Sequence, residues 1–93
     1  MIESIRHKGL RRLYRDGDPS GVNQEHVKRL RYILAVLDAA STINGVNMPT
    51  FDLHPLKGKR KGEWAITVRA NWRVTFRFEE GKGPSDVDYE DYH

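Results

Sequence analysis

The chain of 93 residues has no cysteine and no apolar run close to the roughly 20 residues that cross a membrane. Without cysteine it can form neither a disulfide framework nor a cysteine-based zinc site. Its own core must therefore hold it together, and nothing points to an oxidising compartment. The opening MIESIRHKGL has no apolar stretch of the kind a secretory signal carries. Repeats, linkers and low-complexity tracts are missing too. These absences leave one soluble, cytoplasmic domain over residues 1–93, with a single modest core, as the expectation.

Charge is what the chain has in quantity. Charged residues make up 31% of it, above the usual share of about 25%, which calls for a large solvated surface or a polyanionic partner. The net charge of +3 is unevenly spread. In residues 79–93, Glu79, Glu80, Asp86, Asp88, Glu90 and Asp91 oppose only Lys82, a local −5 that leaves +8 on residues 1–78. A basic body with an acidic last segment permits nucleic-acid binding.

Residues 62–78, GEWAITVRANWRVTFRF, carry the clearest pattern. From Trp64 on, even positions are apolar: Trp64, Ile66, Val68, Ala70, Trp72, Val74, Phe76 and Phe78. Odd positions hold Thr67, Arg69, Asn71, Arg73, Thr75 and Arg77. Strict alternation is the signature of a strand with one face buried. The run is far longer than a strand of about 5–6 residues, so it must fold back on itself. A three-residue loop, Arg69-Ala70-Asn71, keeps the alternation in phase by pairing Val68 with Trp72, with Asn71 in the left-handed conformation. Arg69 then sits at the hairpin tip, and Arg73 and Arg77 line the polar face behind it.

Two helices precede this hairpin. Leu10, Leu13 and Tyr14 have helical spacing, ended by Gly17, Pro19 and Gly21. Asn23 caps a longer helix whose stripe is Val27, Leu30, Leu34 and Leu37, widened by Ile33 and Val36. The short polar turn between them predicts a helical hairpin laid on a sheet. Further expected strands are a short one around Ile2 and Ile5, one in FDLHPL with Phe51 and Leu53 on one face and Pro55 as its stop, and VDYEDYH, with Val87 and Tyr89 in the core. His7 and His26 are expected at the surface.

An alternating strand can carry Arg and Thr simply because one face meets water. Here the basic loop KGKRKG, with Lys57, Lys59, Arg60 and Lys61, leads into the same hairpin, and the chain ends in Asp91, Tyr92 and His93. A cationic groove with histidine and tyrosine suits RNA cleavage by the ribose 2′-hydroxyl, where the substrate brings its own nucleophile. The protein must stabilise a phosphorane dianion, take the 2′ proton and give one to the leaving 5′-oxygen. Arg and Lys do the first; His, Tyr or Lys can take either proton role. No metal or other cofactor is needed.

The strings LHPLKG, W-x-I-x-V-R-A-N-W-R-V-T-F and the terminal DYEDYH, with the early HKGL and the helix end LDAA, resemble the HigB toxins of bacterial toxin–antitoxin systems, in the RelE/ParE superfamily. That resemblance spans essentially the whole chain. It implies an α+β fold, RelE-like, with two N-terminal helices packed on a curved, mainly antiparallel sheet. It also implies a ribosome-dependent endoribonuclease that cuts mRNA in the A site of the 70S ribosome. The implied partner is a HigA-like helix-turn-helix antitoxin, which alone would touch operator DNA. Carried over residue by residue, the catalytic set is His54, Lys57, Arg69, Arg73, Asp91, Tyr92 and His93. Lys59, Arg60, Lys61 and Arg77 are the expected RNA-binding cations.

Two other classes compete. A ParE-like toxin of the same superfamily would bind DNA gyrase without cutting RNA, but that branch tends to lack the terminal Tyr/His pair and the Lys/Arg set. A non-catalytic RNA-binding module would want exposed aromatics to stack bases on. Trp64 and Trp72 fall on the apolar face, which leaves Tyr92 alone for that task.

Overall fold

A computed structural model describes residues 1–92. Helix α1 spans Lys8–Asp16 and α2 spans Val27–Ala39, entered through a 3₁₀ turn at Gln24–His26. Strands β1 (His54–Pro55), β2 (Glu63–Arg69), β3 (Trp72–Arg77) and β4 (Ser85–Asp91) follow, forming one sheet in the order β1-β2-β3-β4 with every pair antiparallel. The fold is α+β, with both helices N-terminal to the sheet, as expected. No helix among the described residues is long and apolar enough to cross a membrane.

Each helix starts and stops for a local reason. The His7 Nδ1 accepts from the Leu10 N–H at the start of α1, so the ring proton lies on Nε2. Gly17 ends the helix with φ +70°, a conformation that costs a side-chain-bearing residue steric strain, and its N–H reaches back to Leu13 O. Asn23 Oδ1 accepts from the Glu25 N–H and caps the 3₁₀ turn that leads into α2. Leu10 and Leu13 from α1 and Leu30, Ile33, Leu34 and Leu37 from α2 are buried in one core with Ile66, Val68, Val74, Phe76, Val87 and Tyr89 from the sheet. Trp64, Trp72 and Phe78 pack against its rim. The helical stripe and the even face of the hairpin therefore meet as their periodicities require.

Four local expectations need correcting. The β2–β3 turn has two residues, Ala70 and Asn71, with Arg69 opposite Trp72 and Thr67 opposite Arg73. The extra residue is Val68, a β-bulge that restores the phase a two-residue turn would otherwise break. Ala70, not Asn71, takes the left-handed conformation, at φ +51°. Second, Pro55 does not stop its strand. It pairs with Trp64 inside β1, which is tolerated because β1 is an edge strand whose outer N–H positions need no partner. Phe51 is fully buried just before that strand, and its carbonyl accepts from the Thr67 N–H.

Third, His26 is buried, not at the surface, and lies 2.6 Å from the Tyr89 hydroxyl through Nδ1. It sits four residues before Leu30 on the apolar stripe of α2, and its ring meets Trp72 and Tyr89 edge-on. His7 is half-buried by its cap role and its edge contact with Tyr89. Fourth, residues 2–6 form no strand of their own. Ile5 makes a single parallel bridge to Val87, flanked by Glu3 N–H to Pro84 O and Arg6 N–H to Val87 O.

Two polar side chains fasten the helices to the rest. Arg29 donates to Thr50 Oγ1, to Thr50 O and to Thr67 O beside the bulge, and lies over the Phe51 ring at 5.1 Å. Asp38 Oδ1 accepts from Tyr14 Oη at 2.6 Å and from the Ile2 N–H at 3.0 Å. The Tyr14 hydrogen bond first, then the Ile2 N–H, holds the Asp38 carboxyl below the usual aspartate range. A depressed folded value stabilises the protein above the unfolded value of about 3.9 and is lost as pH falls through the folded one. Asp38→Asn keeps an acceptor but loses the charge, so it should cost about 1 kcal/mol at neutral pH. Urea unfolding of both proteins should show that gap narrowing as pH falls below the unfolded aspartate value of about 3.9 and through the lower folded one.

Candidate functional site

The polar face of the sheet follows from its register. His54, Ala65, Thr75 and Asp88 lie in one row across the four strands; Thr67, Arg73 and Glu90 lie in the next, and Glu63 pairs with Arg77 on the other side. Directly opposed residues share a face, so this face collects the odd positions of β2 and β3. Its centre is not open: Thr75 and Ala65 are buried. From the loop between β1 and β2, the Arg60 side chain reaches Glu63 and Glu90 on this face, and the loop is closed at its base by the Leu56 N–H to Glu63 O bond. Gly62 closes the loop at φ +98°, and a Cβ there would sit 3.0 Å from Arg77 Nη1.

The cations on and around this face differ in what holds them. Arg73 Nη1 donates to Ala70 O at 2.6 Å and to Trp72 O at 3.1 Å. These acceptors are neutral, so the guanidinium is oriented without its charge being cancelled by them. Arg60 lies between two carboxylates: it reaches Glu90 at 2.6 and 3.1 Å and Glu63 at 3.0 and 3.2 Å. Arg60 holds the Glu63 carboxyl below the usual glutamate range. Arg77 makes an exposed 3.7 Å pair with Asp86, which Arg6 shares at 3.5 Å. Such pairs hold a side chain weakly. Lys57, Lys59 and Lys61 are exposed.

The structure brings most of the sequence-predicted residues to this side. His54, Arg73 and Arg77 share the face, Tyr92 follows Glu90 in the alternation, and Lys57, Lys59, Arg60 and Lys61 lie on the loop between β1 and β2, which reaches the face through Arg60. Arg69 and Asp91 stand apart. Each opposes Trp72 in the ladder, one on β2 and one on β4. The bulge turns Arg69 toward the helices, where it forms an exposed 3.7 Å pair with Glu25. His93 lies outside the described residues. Glu63 and Glu90 were not foreseen, although both occupy odd-face positions once the register is known.

His54 has a defined orientation. Its Nδ1 is 2.8 Å from Asp52 O. A carbonyl only accepts, so Nδ1 carries the proton and the neutral ring keeps Nε2 as its acceptor. This is the tautomer a general base at Nε2 requires. Tyr92 is held at the end of β4 by its N–H to Asn71 O at 2.8 Å, and its ring lies 5.7 Å from the Arg60 guanidinium. A cationic face with an oriented histidine and a tyrosine can bind a phosphodiester and move protons around it.

A small α+β domain with two leading helices and such a face is what the RelE-like toxins are built on. Sequence comparison agrees: the family of HigB-like toxins, described as RelE-like toxins of type II toxin–antitoxin systems, matches residues 3–93. The chain is also 48% identical over 93 residues to the Endoribonuclease HigB of Proteus vulgaris, covering 100% of both chains. The protein therefore belongs to the HigB-like toxin family, and membership of a type II system implies a protein antitoxin as its partner.

The tautomer of His54 is directly observable. At a pH where the ring is neutral, long-range proton–nitrogen correlation should find Nδ1 protonated and Nε2 bare. The reverse assignment would mean that the Asp52 carbonyl does not orient the ring.

Proposed function

We propose that this toxin is an endoribonuclease that cuts mRNA in the A site of the ribosome by attack of the ribose 2′-hydroxyl on the adjacent phosphodiester. The oxygen–phosphorus bond to the 2′-oxygen forms as the bond to the 5′-oxygen breaks, leaving a 2′,3′-cyclic phosphate and a 5′-hydroxyl. The 2′ proton goes to a base on the protein, and the leaving oxygen takes a proton from an acid. His54, with Nε2 as acceptor, fits the base. Tyr92 and His93 fit the acid. Lys57 and Arg73 stabilise the charge that builds on the non-bridging oxygens. Arg69 and Asp91 flank Trp72 at the rim and act on the RNA from the hairpin end.

Arg73 carries this reading. It sits on a strand between the half-buried Trp72 and the buried Val74, and carbonyls orient its guanidinium. Preorganised charge needs no rearrangement as the transition state forms, and Arg presents a planar fork that matches phosphate oxygens. The exposed Lys59 and Lys61, with Arg77, suit docking on the RNA backbone, where each phosphate contact releases counterions. The full-length similarity to a relative named as an endoribonuclease supports the same class of reaction. The antitoxin would be a HigA-like repressor, and the toxin would act on ribosomes in the cytoplasm.

Arg73→Ala should lower the single-turnover rate of mRNA cleavage on programmed ribosomes by about 10²–10³ while the protein stays folded. Primer extension on mRNA from cells induced for the wild-type toxin should give codon-phased cuts that this variant lacks. Wild-type rates from Arg73→Ala would remove the site from this face. Intact mRNA with stalled replication would favour a gyrase-directed toxin.

A further inference from the structure

Arg60 belongs to the basic loop but is bonded unlike the lysines around it. Its guanidinium makes four charge-assisted hydrogen bonds, two to Glu63 on β2 and two to Glu90 on β4. Those strands are not neighbours, because β3 lies between them. The clamp passes over Thr75, which is buried and whose Oγ1 lies 3.4 Å from Glu90 Oε2. One cation against two carboxylates leaves this group net negative, so it adds no positive potential for a phosphate. A phosphate could take Arg60 only by displacing bidentate carboxylates, whose charge would then face the RNA.

The same guanidinium lies over the Tyr92 ring. Tyr92 follows β4 directly, and the residue that carries the far side of the clamp, Glu90, is two positions before it on the same face. We propose that Arg60 is a positioning residue: held by Glu63 and Glu90, it seats the Tyr92 ring at the end of β4 and makes no contact with the RNA backbone. The functional half of this proposal rests on the polar face being the cleavage site. Arginine is needed because only its planar fork can meet two carboxylates and an aromatic face together; lysine offers a point charge.

Two measurements test this. Ring-labelled tyrosine spectra of the free protein should show the Tyr92 signals shifted in Arg60→Lys, in Arg60→Met and also in Glu63→Gln, whose side chain lies on another strand. The Tyr14 and Tyr32 signals should stay in place. Single-turnover cleavage on programmed ribosomes should lose up to about 10² in the saturating rate in Arg60→Lys, the scale expected when a reacting group is misplaced. The half-saturating toxin concentration and its salt dependence should be unchanged. Unmoved Tyr92 signals in both Arg60 variants would overturn the proposal. So would a raised half-saturating concentration with the salt slope smaller by about 0.7, the mark of a lost phosphate contact on a single strand. Arg60→Lys keeps a cation between the carboxylates, so it decides the question if Arg60→Met does not fold. If the wild-type protein leaves ribosome-bound mRNA intact, the cleavage reading fails, while the ring spectra still judge the positioning.

Discussion

Side chains on a β-strand alternate between two faces, and here that alternation separates the apolar core from the charged surface. Ile66, Val74, Phe76 and Tyr89 face the helices; Glu63, Arg73, Arg77 and Glu90 face the other way. A tight two-residue turn between β2 and β3 would put the two strands out of phase and bring charge into the core. The bulge at Val68 absorbs the difference in one residue. Val68 stays buried, the Thr67 carbonyl is taken by Arg29, and Ala70 accepts a left-handed backbone. Moving the phase by one residue would exchange the two faces of β2, so both the core and the candidate site depend on this irregularity.

On the polar face, the cations differ in what each is bonded to. Carbonyl acceptors orient Arg73 and leave its charge for an anion. Carboxylate acceptors neutralise Arg60 and make it a tie between β2 and β4. The loop lysines Lys57, Lys59 and Lys61 are exposed. Five cations that look equivalent in composition thus differ in what holds them once their acceptors are known. The acidic last segment has a part in this: Glu90 supplies half of the Arg60 clamp, so its charge supports the face as well as lowering the net charge.

Much of this was legible in the residues. The alternation in 62–78 and the stripe Leu30, Leu34 and Leu37 were long enough to specify elements, faces and packing partners. The bulge was not legible, because a three-residue loop and a bulge restore the phase equally well and Ala70 has no intrinsic preference for a left-handed backbone. His26 could have been found by extending the stripe back four positions from Leu30; a lone histidine near a helix start reads as polar unless that spacing is applied. Pro55 was misread because a proline stops a central strand but not an edge, and edge position is a property of the whole sheet. The Arg60 clamp joins residues 30 positions apart and depends on the register of three strands, which no local pattern carries.

The central claim is that the face works on a substrate that brings its own nucleophile. In the proposed reading, lysine and arginine would stabilise charge and His54 and Tyr92 would handle protons, which leaves the attack itself to the ribose. The most direct measurement uses an mRNA with a single 2′-deoxy nucleotide immediately 5′ of the scissile phosphate, placed in the A site of a programmed ribosome and mixed with the toxin. The account predicts that this position stays intact while the matched all-ribose mRNA is cut to a 2′,3′-cyclic phosphate and a 5′-hydroxyl. Cleavage of the deoxy substrate at the all-ribose rate would contradict it, because the attacking oxygen would then come from water or from the protein.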